Sequence, residues 1–185
     1  MDALQALHQR VSVPRLSEPS PKGDILANIQ RAAFRAADHA RMRPWRFLIV
    51  EGEGRQALGE LFVRSEEQQG AVLSDKARQR IAERPLRAPM VMVVIASPKE
   101  NPKVPEIEQW LSAGAAAQNM ITAAYAQGIG AVWRTGDYAY DPSVMAGLGL
   151  SDAERIIGFL YLGTVQIAPP EAPETAIADY FQSWP

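Results

Sequence analysis

The 185-residue sequence contains no cysteine. A disulfide, a thiolate metal site and a cysteine nucleophile are therefore excluded. Histidine is nearly as scarce: His8 and His39 are the only two, too few for a histidine-rich metal centre. No basic block occurs and the net charge is −2, which argues against nucleic acid as the main partner. The longest apolar run, Met90 to Ala96, is far too short to span a bilayer. No GxGxxG follows a strand-like run, and no GxxxxGKS or GxxxxGKT loop is present. Equally missing are a Ser-His-Asp set, a His-Glu metal pair and a paired-carboxylate signature, and no metal is expected. The segment MDALQALHQR has an acid at its second position and no signal-like apolar core, so a cytoplasmic setting is expected.

What is present is the composition of a globular protein, with 47% hydrophobic and 22% charged residues. A length of 185 residues suits one domain, 1–185, with a real core. Its organising stretch is Pro105 to Arg134, read as a long helix, a glycine stop at Gly128 and Gly130, and a short strand Ala131-Val132-Trp133. Ile107, Trp110, Leu111, Gly114, Ala117, Ile121, Ala124 and Tyr125 recur at the spacing of one helical face. Ala113, Ala116, Met120 and Ala123 make the other face little more polar. The helix is expected to be buried on most sides, either inside a single domain or also along a subunit interface.

Before it, Asp2 can cap a helix Ala3 to Gln9 with an Ala3, Leu4, Leu7 stripe, followed by an extended loop to Leu16. A second helix is expected over about Lys22 to Ala36, with Ile25, Leu26, Ile29, Ala33 and Phe34 inward. Trp45 to Glu51 reads as a strand, about Arg55 to Gln68 and Asp75 to Glu83 as helices, and Met90 to Ala96 as a buried strand. Asp141-Pro142 opens a short helix, and Arg155 to Val165 is the last core strand. This irregular interleaving points to an α+β fold with a small central mixed sheet flanked by helices. The tail, 168–185, carries Ile177, Tyr180, Phe181 and Trp184. That apolar bulk is expected to dock on its own domain or on a second chain.

Three places could carry chemistry. In Arg10-Val11-Ser12, two side chains two apart in extended chain can point at one anion; alternatively Arg10 only complements the dipole at the end of the first helix. Arg35 and His39 flank a polar loop, where His39 could hydrogen-bond a ligand edge or simply be a surface histidine. Arg134 follows the apolar strand containing Val132 and Trp133, and either escapes to solvent or meets an anion. Asp137 and Asp141 suit capping.

MDALQALHQRVS, RAADHARMRPWRFLIVEGEGR, RAPMVMVVIA, NPKVPEIEQWLSAG, AQGIGAVWRTG and IIGFLYLGT, in this order and spacing, resemble the FMN-dependent nitroreductase family, most closely its short YdjA-type branch. The resemblance runs from Met1 to about Gln166. It implies a homodimer with FMN at the subunit interface, the long helix at the seam and the C-terminal segment exchanged. It further implies that Arg10 and Ser12, with Val11, hold the FMN phosphate, and that Arg134, with the Val132 and Trp133 backbone, contacts phosphate or ribityl. Arg35 and His39 would meet the flavin from the other subunit. Three departures stand out: Arg10-Val11-Ser12 where Arg-Arg-Ser is frequent, Ala36-Ala37 for Ala-Pro, and Arg43 and Arg46 where Gln and His are common. The implied activity is ping-pong exchange, NADH or NADPH giving hydride to flavin N5 and a nitroaromatic, quinone or enone then taking it. The chemistry is carried by FMN, with no catalytic side chain required. The alternative is a flavin carrier or redox sensor without turnover.

Overall fold

The strand Arg155–Val165 (β5) is long, apolar and paired along both edges. In the computed structural model, which describes residues 1–184, its residues Phe159 to Leu162 pair with Met90–Ala96 (β3) on one side. On the other side they pair with Gly130–Arg134 (β4). Trp45–Glu51 (β2) lies outside β3, and the two-residue strand Leu16–Ser17 (β1), expected to be loop, pairs with the last residues of β5. Every pairing is antiparallel, which corrects the expected mixed sheet. The reason lies in strand order. β3 and β4 run the same way and are joined through a helix, as in a parallel crossover, but β5 is inserted between them in the opposite direction.

Alternation along β3 builds two cores. Val91, Val93 and Ile95 face Glu53–Gln68 (α3), Asp75–Ala82 (α4) and Pro142–Gly147 (α6); Met90, Met92, Val94 and Ala96 face Gly23–Ala33 (α2) and Glu106–Ala126 (α5). Pairing jumps from Val94–Gly158 to Ile95–Ile156, and this bulge re-phases β5 around Ile157. Both sheet faces are therefore covered by helices, which explains why β3 is apolar at every position. Local signals set the helix starts: Asp2, Ser74 and Asp141 accept from Gln5, Ala77 and Val144 backbone N–H groups. Among the described residues no helix is long and apolar enough to cross a membrane.

Helix faces differ from the expected stripes in three places. α5 buries Ala113, Ala116, Ala117, Met120 and Ala124 and leaves Ile107 and Leu111 57% and 67% exposed. Small side chains let the helix approach the sheet and α2 closely, so the alanine side turns inward. The helix Ala3–Gln9 (α1) buries Ala6 and exposes Leu4 and Leu7. α2 ends at Ala33, so Phe34 lies one residue past it and is 55% exposed. The tail does not dock on its own chain: Ile177, Tyr180, Phe181 and Trp184 are all exposed. Pro185, the end of the expected arm, lies outside the described residues.

Arg46 ties β2 to the turn before β5. Its Nε and Nη2 donate to Glu154 at 2.6 and 2.8 Å, and Ser151 N–H donates to the same carboxylate at 3.0 Å. The Arg46 guanidinium holds the Glu154 carboxyl down to about 2, against the burial that would raise it. A depressed carboxylate stabilises the folded state above its unfolded value and loses that contribution as pH falls through its folded value. Glu154→Gln should therefore cost about 2 kcal/mol at neutral pH. The deficit should narrow as pH falls from 4.5 toward about 2. Urea unfolding followed by circular dichroism across that range measures it; a pH-independent difference would refute the assignment.

Candidate functional site

Arg10 is the C-cap of α1, after which Val11 and Ser12 run extended. Two contacts fix their course. Val13 N–H donates to Ala131 C=O at 2.9 Å, and Leu16 covers Gly130, where an added Cβ would overlap the leucine side chain. These contacts bring Val13 and Leu16 to the Gly130–Ala131 start of β4. The segment that follows 10–12 is thereby tied to the strand that carries 132–134.

Strand alternation sends the β4 side chains to different layers. Val132 packs with the α3 core. Trp133 faces the other way, over Gly158, whose bare Cα makes room for the indole, and its Nε1–H donates to Ile157 C=O at 3.2 Å. Its ring is partly buried against the α5 core. Arg134 returns to the α3 side with its guanidinium 5.9 Å from the Tyr161 ring, and its buried Nε has no hydrogen-bond acceptor.

Arg134 opens into a cavity of about 440 Å³, lined also by Arg84, Arg87, Thr135, Gly136, Asp137, Tyr138 and Tyr161 over Phe62 and Phe159. Arg84 lies 5.0 Å from the centre of the Tyr138 ring, which stacks on Phe62 at 4.1 Å. The Tyr138 hydroxyl donates to Glu66 at 2.7 Å, and burial together with that bond pushes its phenol well up. Burial also raises the Tyr161 phenol, with Arg134, Arg87 and Arg84 pulling in the opposite direction. Arg84 and Arg87 were missed in the sequence, where 84–89 reads only as a break in pattern. The available signal was two arginines three apart around a proline.

Arg35 and His39 lie elsewhere. Both are exposed, and no hydrogen bond or ion pair joins them to 10–12 or 132–134 among the described residues. His39 Nδ1 is 2.6 Å from Glu108 Oε2, in the first turn of α5. The following residues are strained: Ala40, Arg41 and Arg43 have φ of 56°, 54° and 48°. Clasps hold them. Arg43 N–H donates to Asp38 Oδ2 at 2.7 Å, Lys99 Nζ to Met42 C=O at 2.6 Å and Ser112 Oγ to Ala37 C=O at 2.6 Å.

Arg10, Ser12, Arg35 and Arg134 thus present donors without a carboxylate or carbonyl acceptor among the described residues. Donors of this kind fit a bound anion such as a phosphate. Arg46, which the family pattern made unusual, is instead committed to Glu154.

Comparison with known proteins gives the same direction. Residues 7–164 match the model of the nitroreductase family. The chain is 45% identical over 170 residues, 90% of each protein, to the Escherichia coli K12 protein named "Putative NAD(P)H nitroreductase YdjA". Its fold matches the crystal structure of a nitroreductase-like family protein from Bacillus cereus, with a TM-score of 0.84, 27% identity, and 100% and 96% of the two chains covered. A nitroreductase with bound FMN from Bacteroides fragilis matches with a TM-score of 0.74 at 22% identity over 98% of each chain.

The His39–Glu108 contact is exposed and so contributes little to global stability, yet it tethers a strained loop. Glu108→Ala should reduce unfolding free energy by less than about 1 kcal/mol. Amide exchange over 38–43 should accelerate, as read by hydrogen–deuterium exchange mass spectrometry; unchanged exchange there would show that the other clasps suffice.

Proposed function

The chain belongs to the nitroreductase family, and from that membership we propose that it is an FMN-dependent oxidoreductase that uses NAD(P)H as reductant. The observation that carries this reading is Arg134 at the end of β4, its Nε buried and unpaired, together with Arg10 and Ser12, which have no acceptor among the described residues. The bound FMN of the Bacteroides fragilis relative and the name of the Escherichia coli relative support the choice of cofactor and reductant.

FMN, when bound, supplies the hydride chemistry that the side chains lack, accepting from NAD(P)H and giving to a planar nitroaromatic, quinone or enone. The protein's part is to bind and orient. Arg10, Ser12 and Arg134 hold the phosphate, with the Val11, Val132 and Trp133 backbone alongside. Arg35 places a positive charge near the ring and favours negative charge there; His39, held by Glu108, offers a hydrogen bond to its edge. Reductant and acceptor take the same slot in turn, which is ping-pong exchange, and no side chain is needed as an essential acid or base.

The domain spans 1–185 and works as a cytoplasmic homodimer with FMN between the subunits. Arg35 and His39 then come from the second copy, which accounts for their separation from the β4 group within one chain. Support comes from the apolar surface left open on α5 and α1, at Ile107, Leu111, Leu4 and Leu7, and from the exposed Ile177, Tyr180, Phe181 and Trp184 of the arm. The arm docks on the other subunit.

Purified protein should show flavin absorbance that bleaches anaerobically with NADPH or NADH. Arg10→Ala should retain less FMN than Asp137→Ala, and equal occupancy would sink the phosphate assignment. A flavin that resists both nucleotides favours the carrier or sensor reading. A colourless protein that cannot take up FMN ends the proposal.

Leu111→Glu places a charge in the open face of α5 and should shift sedimentation from dimer to monomer. A mass unchanged by it would move the interface elsewhere.

A further inference from the structure

We propose that Arg84, Arg87 and Arg134 form a phosphomonoester-binding site on the α3 side of the sheet. The site is argued from the residues themselves; only the naming of its ligands rests on the flavin and NAD(P)H reading above.

Arg84–Arg87 is one 3-10 turn, with Pro85 near its start and buried. Three residues per turn put positions three apart on the same side, so Arg84 and Arg87 project together. They share the 440 Å³ cavity with Arg134, which arrives from β4. Three guanidiniums gather there in a chain whose 21 acids outnumber its 19 basic residues. Among the described residues none of the three makes an ion pair. Asp137 is the one acid in the lining, and Glu66 nearby accepts from Tyr138. Two guanidiniums are instead held by rings, Arg84 at Tyr138 and Arg134 at Tyr161, which orient the cations without using their N–H donors. A cluster of like charges with a buried, acceptor-less Nε gains stability when an anion completes it.

The anion is a phosphomonoester on charge and valence. A carboxylate is satisfied by a single guanidinium fork, whereas a phosphate carries close to two charges on three oxygens and takes several. Arg10 and Ser12 do not line this cavity. Two ligands of the proposed reaction carry the required group: the 5′-phosphate of FMN and the 2′-phosphate of NADPH.

The test is phenylglyoxal labelling of the full-length protein, with Arg84 and Arg87 read by peptide mass spectrometry. Inorganic phosphate should protect both, and sodium chloride at equal ionic strength should not. Protection by FMN but not riboflavin identifies the flavin phosphate; protection by NADPH but not NADH identifies the 2′-phosphate. The double variant Arg84→Gln/Arg87→Gln should bind the protecting phosphomonoester about tenfold more weakly while its dephosphorylated counterpart binds as before. Arg64→Gln, an exposed arginine outside the cavity, is the control. The proposal is overturned if phosphate, FMN and NADPH all leave labelling unchanged, or if the folded double variant binds all of them within about twofold of the parent. A double variant that fails to fold leaves the labelling result to decide. Should the protein bind no flavin at all while phosphate still protects, the flavin reading fails and the anion site stands.

Discussion

β5 is hydrogen-bonded on both edges and buried on both faces, and the positions of the other layers follow from it. Because β4 is held by β5, the chemistry-bearing end of β4 is fixed against Phe159 to Leu162. That pairing sets Tyr161 beside Arg134, and it needs Gly158 without a side chain so that Trp133 can close over the strand. The loop carrying Arg10 and Ser12 is registered on β4 in turn, through Val13 and Leu16. Candidate binding residues distant in sequence are thus tied to one strand, directly or through a neighbouring residue, which is what orientation of a bound ligand requires.

Charge is distributed unevenly with respect to partners. Arg46 and Glu154 neutralise each other at the start of β5, with the carboxylate enclosed and hydrogen-bonded. That pair is structural. Arg84, Arg87 and Arg134 have no such partners among the described residues, and that isolation, more than exposure, is what sets candidate ligand-binding arginines apart from structural ones. Rings rather than carboxylates position them, and an arginine stacked on tyrosine keeps its planar fork available.

Much of this was legible in the residues. β3 and β5 were bounded correctly because uninterrupted apolar runs of that length, flanked by turn residues, have few alternatives. Asp2, Ser74 and Asp141 announced their helices by local chemistry that tertiary contacts did not override. The inward faces of α1, α2 and α5 were less legible. Where large and small apolar residues compete for the core side, periodicity counts both alike, while packing chooses the alanines that permit close approach. Strand direction was not legible at all, because the insertion of β5 between β3 and β4 is a long-range choice. The arginine cavity was hidden for the same reason: its members come from a turn at 84–87 and a strand end at 134, and only the closed sheet brings them together.

The central position of β5 also dictates an order of events during synthesis. β2 and β3 can pair as soon as both exist, but β3 and β4 have no centre to hold them until residues 155–165 have been made. β1 waits for the same segment, since Leu16 pairs with Val165 across most of the chain. A nascent chain therefore emerges with its N-terminal loop and its small-residue helix unassembled on the sheet, and the sheet closes in one late step of high contact order. Until then the edge of β3 that β5 will take, on a strand apolar at every position, depends on speed of completion or on chaperones to stay unpaired with other chains.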